Sequence, residues 1–358
     1  MTATMQPAIA NSLTQGQLHP RTPWVILGLC LTAAAGIVAL LSGASGSEFS
    51  VVGSLALGAL LYLVAILVIS RLVEGTRKST DRLVTSLVSA AFIIAMAPLV
   101  SLLVTVVANG SARFDVEFFS SSLRNVVGEG GGASHAIVGT LLMTSMAALI
   151  SIPIGLFTAI YLVEYGRGRL ARAITFFVDV MTGIPSIVAG LFAFALFAIF
   201  LGPGVRMGFA GAIALAVLMI PVVVRACEEM LRVVPNELRE ASFALGVPKW
   251  LTILNVVLPT SAAGIATGIM LSIARVIGET APLLIVAGVT ASMNTNLFAD
   301  RMQSLPVFVF TSYANQGVDT QAFLDRAWAG ALTLILIVMV LNLAARLIAR
   351  VFAPKLGR

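Results

Sequence analysis

Apolar positions along the chain gather into eight runs, at 24–44, 51–70, 83–108, 136–163, 173–201, 209–224, 261–291 and 326–347. A helix rises 1.5 Å per residue and the hydrocarbon layer of a bilayer is about 30 Å thick, so roughly twenty apolar residues cross it. Each run meets that length, 209–224 only with its flanks included. Pro98 interrupts the third run. The polar stretches divide the chain further. Residues 1–23 have no apolar core and read as a disordered cytoplasmic tail. The run at 24–44 is too long for a signal-peptide core and is expected to stay as an anchor, forming a helical hairpin with 51–70. A charged linker, 71–82, leads to a main domain at 83–350, and 351–358 form a second cytoplasmic tail. Two long polar segments, 109–134 and 292–325, interrupt the main domain.

Composition sharpens the class. Of 358 residues, 11% are charged, against about 25% in soluble domains, and the mean hydropathy is +1.02. The expected fold is an all-α polytopic membrane protein. The net charge of +6 is then a matter of topology rather than of nucleic-acid binding. With the N-terminus inside and eight crossings, sixteen of the 22 Lys and Arg residues fall on inside segments. Five fall outside (Arg113, Arg124, Arg206, Arg301, Arg326) and Arg275 stays within a span. Both termini are therefore expected in the cytoplasm of a multi-pass protein. Cys30 and Cys227 cannot build a disulfide framework and read as packing residues.

The segment 225–260 then lies in the cytoplasm and has a structure of its own. Pro235 suits the first helical position. A helix follows over 236–245, with Leu238, Ala241 and Leu245 on one stripe. Gly246 is placed to end it in the left-handed conformation. Pro248 starts a second short helix, which Leu258-Pro259 closes. The spare apolar stripe suits lipid headgroups or a protein partner, and the pattern alone does not choose between them.

Three further features carry candidate chemistry. Arg275 and Glu279 are four apart in an apolar run, which places them on one helix face about 6 Å apart. A charge in the bilayer core costs at least about 2.5 kcal/mol, so neither should face lipid unpaired. They form either a salt bridge internal to the bundle or a fixed guanidinium for a tetrahedral oxyanion, with Thr280 adding a hydroxyl. The second feature is Gly183, Pro185 and Ser186, where the proline should break or kink a span for packing or for a pathway. The third is Arg225, at the cytoplasmic end of the sixth run, which would serve as a topological anchor or as an exit-side anion contact.

Glu240-Ala241-Ser242, then Gly246, Ile253 and Leu258-Pro259, resemble the EAA motif of ABC-importer permeases, with Ser242 in place of the usual second alanine. GIPSIVAG at 183–190, ARVIGETAPLL at 274–284, GGGASHAIVGTLL at 130–142 and MQSLPVFVF at 302–310 narrow the resemblance to phosphate-specific permeases of the PstA type. It covers residues 83–350. It implies a type I ABC-importer transmembrane domain, a six-helix core with an N-terminal hairpin added. It also implies that Glu237, Leu238, Glu240, Ala241, Ser242, Leu245 and Gly246 dock on an ATPase. Arg275, Glu279, Thr280 and Arg225 would line the path of inorganic phosphate. The implied partners are a PstC-like permease, a PstB-like ATPase dimer and a PstS-like binding protein.

The chain lacks the glycine-lysine P-loop that cradles ATP, so ATP and Mg would be bound by the partner ATPase. His19 and His135 make no metal-ligand set, and no catalytic residue is expected. The competing class is a secondary anion transporter or channel, which has no use for an ATPase-docking hairpin.

Overall fold

A computed structural model describes residues 18–45, 48–317 and 319–352. Every regular element among them is helical. In order these are α1 (Thr22–Ser45), α2 (Val51–Val73), α3 (Thr76–Gly110), α4 (Val116–Ser120), α5 (Ser134–Ile160), α6 (Arg169–Thr182) and α7 (Ser186–Leu201). They continue as α8 (Gly208–Val233), α9 (Asn236–Ala244), α10 (Lys249–Thr252), α11 (Leu258–Val276), α12 (Ala281–Val286), α13 (Leu305–Ala314) and α14 (Thr320–Phe352). Seven are long and apolar enough to cross a membrane, and eight spans result if α6 and α7 count as one bent pair. This is the expected multi-pass helical class.

Internal contacts divide the chain into two units, Met1–Leu103 and Val104–Arg358. The boundary between these units falls inside α3. In the first unit α1 packs along α2. Gly58 makes this possible, because a Cβ there would come within 2.7 Å of a Leu31 methyl. Glu74, which is buried, ties the turn after α2. It accepts hydrogen bonds from Leu18 N (3.0 Å), Ser70 Oγ (2.9 Å) and both Nε (2.5 Å) and Nη2 (2.8 Å) of Arg82. The hydrogen bonds from Arg82 outweigh burial and hold the Glu74 carboxyl down at about 2. Of the segment 1–23 expected as a disordered tail, Leu18 is held by Glu74 and α1 begins at Thr22, while residues 1–17 and 353–358 lie outside the described residues.

The second unit is built on the pair α5–α8. Ala147, Ser151, Gly155 and Ala159 recur every fourth residue of α5 and are all buried. In lipid there is no hydrophobic gain from joining two apolar helices, so close van der Waals packing of small residues takes that role. A Cβ on Gly155 would stand 2.6 Å from Val223 Cγ1, and Ser151 Oγ donates to the Ala216 carbonyl of α8 at 3.3 Å. Val257, Ile265 and Val276 extend this core, with Leu283 and Ala287 beyond the end of α11.

Pro98, Pro153 and Pro221 all sit inside helices. The expected interruption at Pro98 is absent. In hydrocarbon the backbone has no better acceptor than its own helix, so the helix persists around one missing bond. Nor does Pro259 close anything. The chain passes from α10 through a widened turn, Ile253–Val257, straight into α11. A wide turn removes the i−4 clash of the proline ring, so Pro259 sits at the start of α11 without breaking it. The polar segment 292–325 also hides an element. α13 is short and apolar, and it buries Leu305, Val307 and Phe308 against α5 and α14.

Candidate functional site

The hairpin forms nearly as its residues dictate. Asn236–Ala244 is helical and Gly246 takes φ +78, the left-handed conformation an L side chain resists. Its N–H donates to Phe243 O at 2.9 Å. Glu237, Leu238, Glu240, Ala241 and Leu245 are exposed, as are Phe243 and Trp250. Leu245 is 83% exposed and Trp250 59%. Among the described residues the stripe is therefore left without an intramolecular partner.

Ser242 is the exception in this set. It is buried, and its Oγ lies 2.8 Å from Thr252 Oγ1, fastening α9 to α10. The residue that replaces the motif's alanine is thus an internal fastener and not part of the exposed face. A hydroxyl at this depth needs a partner, and Thr252 supplies it.

Three side chains that the residue pattern alone did not single out bind the hairpin to the spans. Arg239 lies against Glu164, at 2.9 Å from both Nε and Nη2, with side-chain exposures of only 13% and 5%. The same guanidinium donates to Val234 O at 2.6 Å and Leu231 O at 3.0 Å, so it also caps the carbonyl end of α8. Lys249 donates to Glu164 O and stands 4.9 Å over the Tyr165 ring. Glu164 belongs to a widened turn, Tyr161–Tyr165, that ends α5. With Arg167 and Arg232, these groups line a cleft of about 370 Å³. The available sequence signal was Glu164 itself, a carboxylate at the end of an apolar run with Arg239 as a cation inside the motif.

Arg225 is not free at a loop edge. α8 continues past it to Val233 because Glu228 pairs with Arg225 (2.6 Å, i,i+3) and with Arg232 (2.7 Å, i,i+4). Arg225 Nη2 also pairs with Asp179 on α6. Its guanidinium is thus shared between two carboxylates, which an anion would have to displace.

Gly183 and Pro185 do break the chain: α6 and α7 meet at 109°. Pro185, at ψ 137, caps α7, which Ser186 begins. Instead of one kinked helix over 173–201 there is an amphipathic α6 and an apolar α7 of 16 residues. α7 meets α12 where Gly190 allows it, since a Cβ there would be 2.7 Å from Pro282 Cα.

The expected single helix through Arg275 and Glu279 is corrected as well. α11 ends at Val276, and residues 277–280 form a break before α12. Arg275 is exposed on the last turn of α11 while Glu279 and Thr280 sit half-buried in the break. Among the described residues no ion pair joins Arg275 to Glu279. Gly278 and Pro282 account for the ending: the glycine loosens the last turn and the proline favours a new first turn. An apolar span thus carries an unpaired guanidinium on its surface.

A sequence profile described as "Binding-protein-dependent transport system inner membrane component" matches residues 151–358. The phosphate transport system permease protein PstA 1 of Mycobacterium tuberculosis is 50% identical over 275 residues, covering 76% of this chain and 88% of that one. The PstA permease of Yersinia pestis is 37% identical over 287 residues, covering 79% and 93%. Among solved structures, a bacterial alginate ABC transporter in complex with an alginate-bound periplasmic protein has a chain that aligns with TM-score 0.54. It is 15% identical, covers 78% of this chain and 97% of its own, and speaks for the fold alone. With an exposed motif hairpin, a helix broken after Arg275 and half of 275 aligned residues identical to a PstA permease, the chain belongs to the PstA family of phosphate transport system permeases, within the binding-protein-dependent inner membrane components.

Proposed function

We propose that the chain is the membrane permease subunit of an ATP-driven importer of inorganic phosphate. The observation that carries this reading is Arg275, an exposed guanidinium without a carboxylate on an apolar span, in a chain 50% identical to a phosphate permease over 275 residues. A cation cannot rest against lipid there, so its surroundings must come from a second permease and from the anion that passes. Its planar fork suits a tetrahedral oxyanion. Thr280, at the end of the break that follows α11, has a hydroxyl to offer. A single Arg cannot neutralise a divalent anion, so the PstC-like permease would contribute another donor.

The apolar stripe on the hairpin supports coupling to a PstB-like ATPase dimer, which would bind ATP and Mg. The buried pair Glu164–Arg239 would carry the motion of that hairpin to α5, and Arg239 would carry it to α8. A PstS-like binding protein would deliver phosphate to the opposite face. Both termini would be cytoplasmic, by the distribution of Lys and Arg.

The test is ³²P-phosphate uptake into vesicles that hold the permease pair and the ATPase, with the binding protein outside. Uptake that requires ATP hydrolysis is expected. Uptake that runs on an ion gradient without ATP would instead make the chain a secondary transporter.

A further inference from the structure

At the end of the second unit opposite the hairpin, two arginines converge on one glycine. Gly288 follows α12 with φ +81. A Cβ placed there would lie 3.1 Å from Arg206 Cδ and 3.3 Å from Arg301 Cδ. The two stems therefore meet over one bare stretch of backbone, one arriving from the loop before α8 and the other from the loop before α13. The backbone holds both loops in place: Met207 N donates to Val286 O, Met302 N donates to Ala287 O, and Asn294 Nδ2 donates to Arg301 O.

Among the described residues neither guanidinium has a partner. Among the described residues Arg206 and Arg301 make no ion pair and no side-chain hydrogen bond. Asp300, next to Arg301 in the chain, pairs with neither. This contrasts with the other arginines of the same unit that are at least partly buried. Arg113, Arg225 and Arg239 each have a carboxylate, and Arg326 holds the carbonyls of Gly128 and Gly130. Arg206 is half-buried and Arg301 is exposed beside it, and among the described residues neither has either kind of partner. With their stems against one glycine and no counter-charge among the described residues, the two guanidiniums are able to donate to one bridging anion, which would offset their like charge.

We infer that Arg206 and Arg301 form an oxyanion-capture site at the end of the span core remote from the hairpin, taking a phosphate-class anion before it reaches Arg275. The sequence links the two places directly. From Arg275 the chain runs through the break and α12 to Gly288. The site rests on the phosphate-importer reading only for the identity of its natural anion. Its geometry calls for any tetrahedral oxyanion able to accept from two guanidiniums.

The first experiment is chemical protection. The complete importer is treated with phenylglyoxal and modification at each arginine is mapped by mass spectrometry. Inorganic phosphate should protect Arg206 and Arg301 together, at concentrations on the order of millimolar, while chloride at equal ionic strength does not. Protection of neither, or equal protection by chloride, overturns the site. Sulfate in a parallel arm separates a general oxyanion site from a phosphate-selective one, and either result supports it.

The second experiment is transport. Arg206→Gln/Arg301→Gln should lower phosphate uptake at least about tenfold, with assembly and binding-protein docking retained, and the double Lys variant should recover part of it. Parental uptake by the Gln variant overturns the inference. So does a loss that follows lost docking, which would make the pair a protein-docking patch. If the parental importer takes up no phosphate yet phosphate still protects both arginines, the function reading falls and the oxyanion site stands.

Discussion

Replacing Glu164 by Ala removes the one carboxylate that pairs with Arg239 among the described residues. The side chains are 5% and 13% exposed, so the guanidinium would be left nearly dry, keeping only its acceptors on Leu231, Val234 and Asn236. Breaking a buried pair from one side costs about 3–5 kcal/mol. The three surviving acceptors argue for the lower end, near 3 kcal/mol. The hairpin is held to the spans by this pair, by Lys249 on Glu164 O and by the covalent links through α8 and the widened turn before α11. The loss should therefore appear as local opening of α9 and α10 rather than as global unfolding. About 3 kcal/mol corresponds to roughly a hundredfold faster amide exchange over residues 236–252, at about tenfold per 1.4 kcal/mol. Exchange in α5 and α8 above the hairpin should change far less. Hydrogen exchange read by mass spectrometry gives both numbers, and ATP hydrolysed per phosphate moved should rise in the same variant. Parental exchange in the hairpin together with parental coupling would refute the claim that this pair carries the motion.

Gly246→Pro cannot adopt φ +78 and loses the N–H that reaches Phe243 O, so it should leave the protein in the membrane and abolish ATPase co-purification or uncouple hydrolysis, read by pull-down and ATPase rate. The Glu74 carboxyl is held near 2 against 4.5 for the free group. Its stabilisation of the turn after α2 is therefore complete above about pH 4.5 and is lost as pH falls from there toward 2, visible as faster exchange at residues 70–82 that Glu74→Gln shows at every pH. Cysteines at positions 120 and 315 should label from outside and those at 78 and 355 from inside; external labelling at 78 would overturn the topology.

The spans were legible because hydrocarbon leaves the backbone only its own helix, so long apolar runs report helices directly. The hairpin was legible because Pro235, Gly246 and Pro248 each have a local reason to be where they are. What stayed hidden depended on tertiary placement. Leu305 and Phe308 look like part of a polar loop until α14 and α5 bury them. Pro259 reads as a stop until a widened turn makes room for its ring. The i,i+4 spacing of Arg275 and Glu279 suggested one helix face, while Gly278 and Pro282, on the same line of sequence, already held the signal for a break. The partners of Arg239 lie 75 and 8 residues away, and no spacing rule reaches the first of them.

The most direct test of the account is phosphate uptake by the reconstituted importer carrying Arg275→Gln, with Arg275→Lys beside it. If Arg275 is the fixed donor on the phosphate path, the Gln variant assembles, hydrolyses ATP and moves almost no phosphate, while Lys keeps the charge without the planar fork and moves little. Uptake by Arg275→Gln at the parental rate would contradict the account and place the pathway elsewhere.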